Sequence, residues 1–184
     1  MEKYNKVLPY LKSFTKRLNF GKDLFSMDHL TLCQSNSIES IDKKKNIILQ
    51  DSDILFRYKI HPGTLNYWGA MHGGSIATLI DISTTISITA MDKGNRKNVS
   101  IELSTDYISP IRPENDIFLI CKLGKVGKTI AYTTCELYQS NNLSMLATGS
   151  HTKAMLEDKW SIEENEGSNT HVKSHSSHSH KKEH

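Results

Sequence analysis

The segment from Asn66 to Asp81, which reads N-Y-W-G-A-M-H-G-G-S-I-A-T-L-I-D, contains the residue types and spacing best suited to chemistry. His72, Gly73 and Gly74 open an apolar stretch that has the pattern of a helix. The first N–H groups of a helix lack internal partners and carry partial positive charge, and glycine lets a ligand approach them closely. Such donors can form an oxyanion hole, which stabilises the negative charge that develops on a carbonyl oxygen.

Asp81 is the only charged residue between Gly74 and Asp92. An unpaired carboxylate is costly in an apolar helix, so we expect Asp81 to be paired or to take part in a reaction. Plainer interpretations stay open for each residue. The glycines would then serve packing, His72 would cap the helix, and Asp81 would cap a neighbouring strand or turn.

The spacing of Gly73 and Asp81 predicts how many chains form the site. Eight residues on a straight helix span ~12 Å along the axis and ~80° around it. A catalytic group must lie ~3 Å from the atom on which it acts. If both residues are catalytic, a two-fold dimer solves the problem, because each chain gives its helix start to one site and its Asp81 to the other.

One helix and two preceding strands are predicted around these residues. Residues 75–91 form a helical stretch that carries almost no charge, which is typical of a helix surrounded by protein. Of the two strands, the first lies around Leu30 and Leu32 and reaches at most to Ile38. The second alternates between apolar and polar residues over 54–60.

The remaining apolar runs predict four more strands joined by short turns, as in an antiparallel meander. A charged stretch over 42–46 is expected to be a solvated turn. The fold class is therefore α+β, with a curved antiparallel sheet around one helix. The four strands are predicted over 99–109, 116–123, 128–138 and 143–155.

Two polar segments flank this domain, which is expected over 29–156. Residues 1–28 predict a basic amphipathic helix packed on the domain, with an organelle presequence or a membrane-surface helix as the alternative. Residues 157–184 have almost no apolar content and predict a disordered tail. Loose metal affinity of its histidines is an alternative, but no specific metal site is expected. These histidines are His171, His175, His178, His180 and His184.

Composition narrows the class of protein. The chain has 184 residues, enough for one ordinary domain, and 23 basic against 20 acidic residues give a net charge of +3 that does not call for nucleic acid. The cysteines Cys33, Cys121 and Cys135 are too few and too widely spaced for a disulfide framework or a zinc site. No apolar run of ~18 residues and no secretory signal is recognised. We therefore expect a cytoplasmic or organellar protein that is not secreted and not inserted in a membrane.

Four motifs in order resemble the hotdog-fold acyl-CoA thioesterases, closest to the phenylacetate-type branch and the small thioesterases of animals. The first is the 66–81 segment, and the others read S-I-E-L-S-T-D-Y-I-S-P, G-K-T-I-A-Y-T and A-T-G-S-H-T-K. The resemblance covers about residues 5–156. It implies a six-stranded antiparallel sheet wrapped around one long helix, a dimer, and commonly a dimer of dimers.

The resemblance also implies roles for single residues in the hydrolysis of an acyl-CoA thioester. Asn66 and Gly73 would bind the thioester carbonyl, with His72 beside them. Asp81 of the partner chain would be a general base on water or a nucleophile that forms an anhydride. Ser100 would help to hold water or substrate.

Coenzyme A is expected as part of the substrate, with no separate cofactor and no metal. Arg112, Lys125 and Lys128 are suitable phosphate partners, and Lys153 is a weaker candidate. The resemblance places coenzyme A near Tyr107, Ser109, Pro110, Arg112, Lys125, Gly127, Lys128 and Thr129.

Two other functions stay open. A hotdog hydratase would need a histidine paired with an acid, and no suitable histidine is expected near Asp81. His151 is the only other candidate apart from His29 and His61. A non-catalytic module that binds acyl-CoA or lipid is the second alternative.

Overall fold

Six strands form a single antiparallel sheet in the computed structural model, which describes residues 2–34, 47 and 49–160. Helix α1 spans Glu2–Arg17 and helix α2 spans Gly73–Met91. The strands are β1 (Leu30–Cys33), β2 (Ile54–Tyr58), β3 (Arg96–Tyr107), β4 (Ile117–Val126), β5 (Ile130–Gln139) and β6 (Met145–Lys159).

The order of these elements confirms the predicted succession of helix, two strands, long helix and four strands. β6 continues to Lys159, past the strand end predicted at residue 155. Three predictions lie outside the described residues: the reach of the first strand to Ile38, the solvated turn over 42–46, and the structure of the tail beyond residue 160.

Helix α2 forms the centre of the core. Ile76, Leu79, Ile80 and Ile86 are all buried, and they pack with residues of the sheet. Gly149 of β6 lies against this helix, and a Cβ atom there would come within 3.1 Å of the Ile80 side chain and 2.8 Å of the Ser104 carbonyl oxygen. A glycine is therefore needed where β6 passes closest to α2.

By length and composition, α2 is the one described helix that could cross a membrane. Asp81 interrupts its apolar residues, so this helix contains no uninterrupted apolar run of the ~18 residues that would suggest a membrane span. Over its most apolar window, 67% of the helix is buried inside the protein. Its apolar surface is therefore accounted for by the core.

Helix α1 packs its apolar side on the domain, as predicted. Val7 and Leu11 are fully buried, and the Tyr10 hydroxyl donates to Asn95 Oδ1 at 2.5 Å. Phe14 stacks on Trp160, with ring centroids 6.0 Å apart. The helix therefore ties the start of the described chain to its end.

The two edges of the sheet differ. The strand order is β1-β2-β4-β5-β6-β3, so β1 and β3 are the edge strands. β1 has four residues, whereas β3 has 12.

A register shift in β3 between Ser100 and Glu102 marks a β-bulge at Ile101. Because a bulge inserts one residue, Ser100 and Leu103 both lie opposite residues of β6 that face α2.

Candidate active site

The start of α2 is formed by a histidine cap. His72 has extended backbone angles, and its Nδ1 accepts a hydrogen bond from the Gly74 N–H at 2.9 Å. Because Nδ1 is an acceptor, a neutral His72 ring carries its proton on Nε2. The cap leaves the N–H of Gly73, the first residue of the helix, without an intrahelical partner.

Asn66 is held in a tight loop before this helix. Its Oδ1 accepts hydrogen bonds from the N–H groups of Trp68 at 2.9 Å and Ala70 at 3.2 Å. Gly69 takes a φ of +74° inside the loop, which glycine adopts without strain. Since Oδ1 is engaged by the loop, the Nδ2 amide is the part of Asn66 left to donate outward.

Tyr107 closes one side of the helix start. Its hydroxyl donates to the Gly73 carbonyl at 3.1 Å, and a Cβ atom on Gly73 would lie 3.3 Å from the Tyr107 ring. Tyr107, predicted to bind coenzyme A, thus lies directly beside Gly73. We call Asn66, His72 and Gly73 the donor group.

Asp81 lies two turns further along α2, and its side chain is 43% exposed. Asp81 was expected to be a carboxylate in an apolar helix, but its side chain has both solvent and polar partners. Its Oδ1 accepts from the Thr85 hydroxyl at 3.1 Å and lies 3.7 Å from Lys153 Nζ and from His151 Nε2. Asp81 is therefore a half-exposed carboxylate with a buried cation behind it.

Ser100 is connected to the same cluster from strand β3. Its Oγ lies 2.9 Å from His151 Nε2 and 3.3 Å from Lys153 Nζ. Lys153 Nζ also donates to the Thr85 hydroxyl at 2.7 Å. The structure thus brings Ser100 and Asp81 of one chain to one place through His151 and Lys153, which were not predicted there. We call Asp81 and Ser100 the acceptor group.

His151 and Lys153 are buried, with 0% and 3% of their surfaces exposed. Burial, followed by the nearby Lys153 charge, lowers the pKa of His151 to about 4, so its ring is neutral at physiological pH. Burial also lowers the pKa of Lys153, and the Asp81 carboxylate opposes this effect. The prediction that Lys153 binds phosphate is therefore wrong, because its ammonium group points into the protein.

The residues predicted to bind coenzyme A fall into two groups. Lys125, Gly127, Lys128 and Thr129 line one depression at the turn between β4 and β5. Pro110 and Arg112 line another beside Ile117, the first residue of β4. A strand of this length spans roughly 30 Å, so the two depressions lie at opposite ends of β4. Ser109 lies next to the second group and donates its N–H to the Leu146 carbonyl at 3.0 Å.

An ion pair at the end of α2 holds the turn between β4 and β5. Asp92 is buried and accepts from Arg96 Nη2 at 2.7 Å, which lowers the pKa of Asp92. The same guanidinium donates to the carbonyls of Gly127, at 2.9 Å, and of Lys128. Arg96 was not predicted, and it holds the turn that carries Lys128, which was.

No group of three or more His, Cys, Asp or Glu residues that could hold a metal ion occurs among the described residues.

Comparison with known proteins identifies the family. A model of the thioesterase superfamily matches residues 69–145. Human acyl-coenzyme A thioesterase 13 is 31% identical over 100 residues, which are 54% of this chain and 71% of the human protein. This chain belongs to the thioesterase superfamily.

One further relative and one solved structure agree with this family assignment. A Caenorhabditis elegans protein that is named an esterase is 37% identical to this chain over 94 residues. The match covers 50% of this chain and 54% of the worm protein, so the chain spans about half the length of that relative. The zebrafish structure of thioesterase superfamily member 2 superposes with a TM-score of 0.64 at 21% identity, covering 79% of this chain and 96% of that one. The resemblance to the hotdog thioesterases and the predicted hotdog fold are confirmed.

Within this thioesterase fold, the expectation that no histidine lies near Asp81 was wrong. His151 was the candidate set aside, and a sequence signal for it exists. In β6 the buried positions alternate through Gly149, His151, Lys153 and Met155. A histidine and a lysine at core-facing positions of a strand indicate a buried polar cluster.

Proposed function

We propose that this protein hydrolyses acyl-CoA thioesters to a free acid and coenzyme A, at a site shared by two chains of a two-fold dimer. Its superfamily membership and its acyl-CoA thioesterase relatives support thioester hydrolysis in general. The observation that carries the shared site is the separation of the donor and acceptor groups on α2. Gly73 of the donor group and Asp81 of the acceptor group lie eight residues apart on one continuous helix.

The exposed edge of β3 supports the dimer. Strand β3 pairs only with β6, and its other edge is free within the described residues. Ile101 and Tyr107 are each 57% exposed, and Val99 is 49% exposed. A long edge strand with exposed apolar residues favours pairing with another chain. Pairing of two β3 strands would bring a second α2 alongside the acceptor group.

Each group would then have a distinct part in the reaction. The Gly73 N–H and Asn66 Nδ2 of one chain would donate to the thioester oxygen and stabilise the charge that forms on it. Asp81 of the partner would either take a proton from a water molecule that attacks the carbonyl carbon, or attack that carbon itself. In the second route, water would then cleave the anhydride. In both routes the bond from carbon to sulfur breaks and coenzyme A leaves as a thiol.

The two basic depressions are the candidate contacts for the nucleotide part of coenzyme A. Arg112, Lys125 and Lys128 are all exposed, and cations of this kind suit phosphate groups. Because the depressions lie at opposite ends of β4, we propose that only one of them from each chain serves a given site.

A substrate panel tests the reaction. CoA thioesters from acetyl to palmitoyl would be incubated with the protein, and free thiol would be recorded with a thiol-reactive dye. Release of thiol from at least one member supports the proposal. Binding without thiol release would instead indicate a non-catalytic acyl-CoA module.

The same panel separates a hydrolase from a hydratase. A hydratase would need a histidine paired with an acid, and His151 Nε2 lies 3.7 Å from Asp81 Oδ1. Both ring nitrogens of His151 are engaged, by Thr84 and Ser100, and the residue is fully buried. His151 is therefore unsuited to contact a substrate. Hydration of an enoyl-CoA without release of thiol would contradict this reasoning.

Mixing of two inactive variants tests the shared site directly. Asp81→Asn and Asn66→Asp chains would be purified, mixed under conditions that exchange subunits, and assayed. A shared site predicts one intact site in each mixed dimer, so a 1:1 mixture should recover about a quarter of wild-type activity. A site formed within one chain predicts no recovery, because neither chain is then intact.

A further inference from the structure

We propose, on the basis of the proposed function, that His151 is a positioning residue that makes Ser100 a hydrogen-bond acceptor toward the attacking water. Ser100 and Asp81 would then offer two acceptors to the two hydrogens of one water molecule. The oxygen lone pair of that water would be left to face the thioester carbon. A chain of hydrogen bonds from α2 to β3 supports this assignment.

The chain begins at Thr84 of α2. Its Oγ1 lies 2.7 Å from the Ile80 carbonyl and 3.1 Å from the Asp81 carbonyl. Carbonyl oxygens only accept, so the single hydroxyl hydrogen of Thr84 points to one of them. The third neighbour of this hydroxyl is His151 Nδ1, at 2.6 Å. Nδ1 must therefore be the donor in that contact.

The tautomer of His151 follows from this contact. A neutral imidazole with its proton on Nδ1 has an unprotonated Nε2 that can only accept. The lowered pKa of His151 agrees with a neutral ring. His151 Nε2 lies 2.9 Å from Ser100 Oγ, so Ser100 must donate its only hydrogen to His151.

Lys153 completes the assignment at Ser100. Its ammonium group only donates, and it lies 3.3 Å from Ser100 Oγ. Ser100 thus uses its hydrogen on His151 and one lone pair on Lys153. The one remaining position of the hydroxyl is a lone pair. Ser100 is exposed in the chain, so this lone pair is available to a water molecule beside Asp81.

The charges of the cluster fit the same arrangement. Facing His151 are the Asp81 carboxylate from α2 and the Lys153 ammonium from β6, with the uncharged Thr84 and Ser100 on its ring nitrogens. The cation and the anion balance each other. A proton on His151 would add an unbalanced buried charge and would turn Nε2 into a donor toward Ser100.

A matched pair of variants at Thr84 tests the inference without altering a residue that touches substrate. Thr84→Val has nearly the same shape but cannot accept from His151, whereas Thr84→Ser keeps the hydroxyl. We expect Thr84→Val to lower kcat by about tenfold or more with little change in KM, and Thr84→Ser to stay within about twofold of wild type. Equal rates for the two variants would overturn the proposal.

The tautomer itself is measurable in the wild-type protein. With ¹⁵N-labelled histidine, long-range ¹H–¹⁵N correlation spectra at neutral pH should give His151 a protonated Nδ1 and an unprotonated Nε2. His151→Asn would assign the signal. In Thr84→Val, the signal should move toward the other tautomer. A wild-type ring protonated on Nε2 would overturn the proposal whatever the rates are.

These measurements separate failure of this inference from failure of the proposed function. The spectra need no substrate, so they report the direction of the hydrogen bonds even in an inactive protein. Wild-type protein that releases no thiol from any CoA thioester would overturn the proposed function, and with it the role of Ser100 toward water. Active protein with the wrong tautomer would overturn this inference alone.

Discussion

The donor group at the start of α2 comes from one continuous stretch of sequence, in which a loop and a helix cap fix Asn66, His72 and Gly73. The acceptor group two turns later depends on three elements, because Asp81 of α2 and Ser100 of β3 are both supported by His151 and Lys153 of β6. The donor group is held mainly by local hydrogen bonds, with one contact from Tyr107 of β3 to Gly73, whereas the acceptor group depends on tertiary packing. Changes near the donor group should therefore have local effects, whereas changes behind the acceptor group should act at a distance.

The largest effect is expected at Asp81. Asp81→Asn keeps the shape of the side chain and removes its charge, so it should lower kcat by ~10²–10⁴-fold, the usual range for loss of a general base. Sedimentation should give the same oligomeric state as wild type. Turnover within a few-fold of wild type would remove Asp81 from the acceptor group.

A slightly smaller effect is expected at Asn66, and here a matched pair tests the local character of the donor group. Asn66→Asp keeps the oxygen that accepts from Trp68 and Ala70 but loses the outward donor. It should lower kcat/KM by ~10²–10³-fold with little change in melting temperature. Asn66→Ala should lower both activity and melting temperature. If Asn66→Asp is as active as wild type, the amide is not a donor to the substrate.

Acid should weaken the support behind the acceptor group. The folded pKa of His151 is about 4, below the ordinary value of about 6.5, so the unfolded chain takes up this proton first as the pH falls. The contribution of His151 to stability is thus complete above about pH 6.5 and is lost progressively toward pH 4, by up to roughly 3 kcal/mol. Urea unfolding of wild type and His151→Asn across this window measures it. Identical pH profiles for the two proteins would contradict a neutral His151.

The other end of α2 should affect stability more than chemistry. Asp92→Asn breaks a buried pair with Arg96, and we expect it to lower the free energy of unfolding by about 2 kcal/mol. The value of kcat should change little, because the pair lies far along the helix from the donor group. Arg96→Lys is the control for the loss of charge pairing. It keeps a positive charge beside Asp92 but loses the forked contact to the carbonyls of Gly127 and Lys128. A large loss of kcat in Asp92→Asn would contradict this separation.

The smallest effects are expected at the exposed cations. Arg112→Ala, Lys125→Ala and Lys128→Ala should each raise KM for a CoA thioester by a few-fold, since exposed ion pairs contribute about 1 kcal/mol or less. Effects at Lys125 and Lys128 that exceed the effect at Arg112 would assign the nucleotide to the turn between β4 and β5. The reverse result would assign it to the depression beside Ile117.

The sequence predicted the fold because each element has a local signal. The uncharged helix, the alternating strands and the order of four motifs all point to one sheet around one helix. The start of α2 was predictable for the same reason, since a histidine followed by two glycines before an uncharged stretch is a short local pattern.

The support of the acceptor group was not predictable in this way. His151 and Lys153 meet Asp81 only after β6 folds against α2, and neither the pairing of β6 with β3 nor its register is written in a local motif. The bulge at Ile101 also breaks the simple alternation of β3, so the direction in which Ser100 points could not be read from the pattern. The oligomeric state and the compartment stay predictions.

The two tryptophans give the protein a built-in optical signal. Trp68 lies beside Asn66 and is 79% exposed, whereas Trp160 is partly covered and stacks on Phe14. The two tryptophans should therefore differ in emission wavelength and in their accessibility to a quencher such as iodide. A ligand or a second chain that covers the loop would shift the emission of Trp68 and leave that of Trp160 as an internal reference. Trp68→Phe would show which part of the spectrum comes from the loop, so titrations could be followed without any added dye.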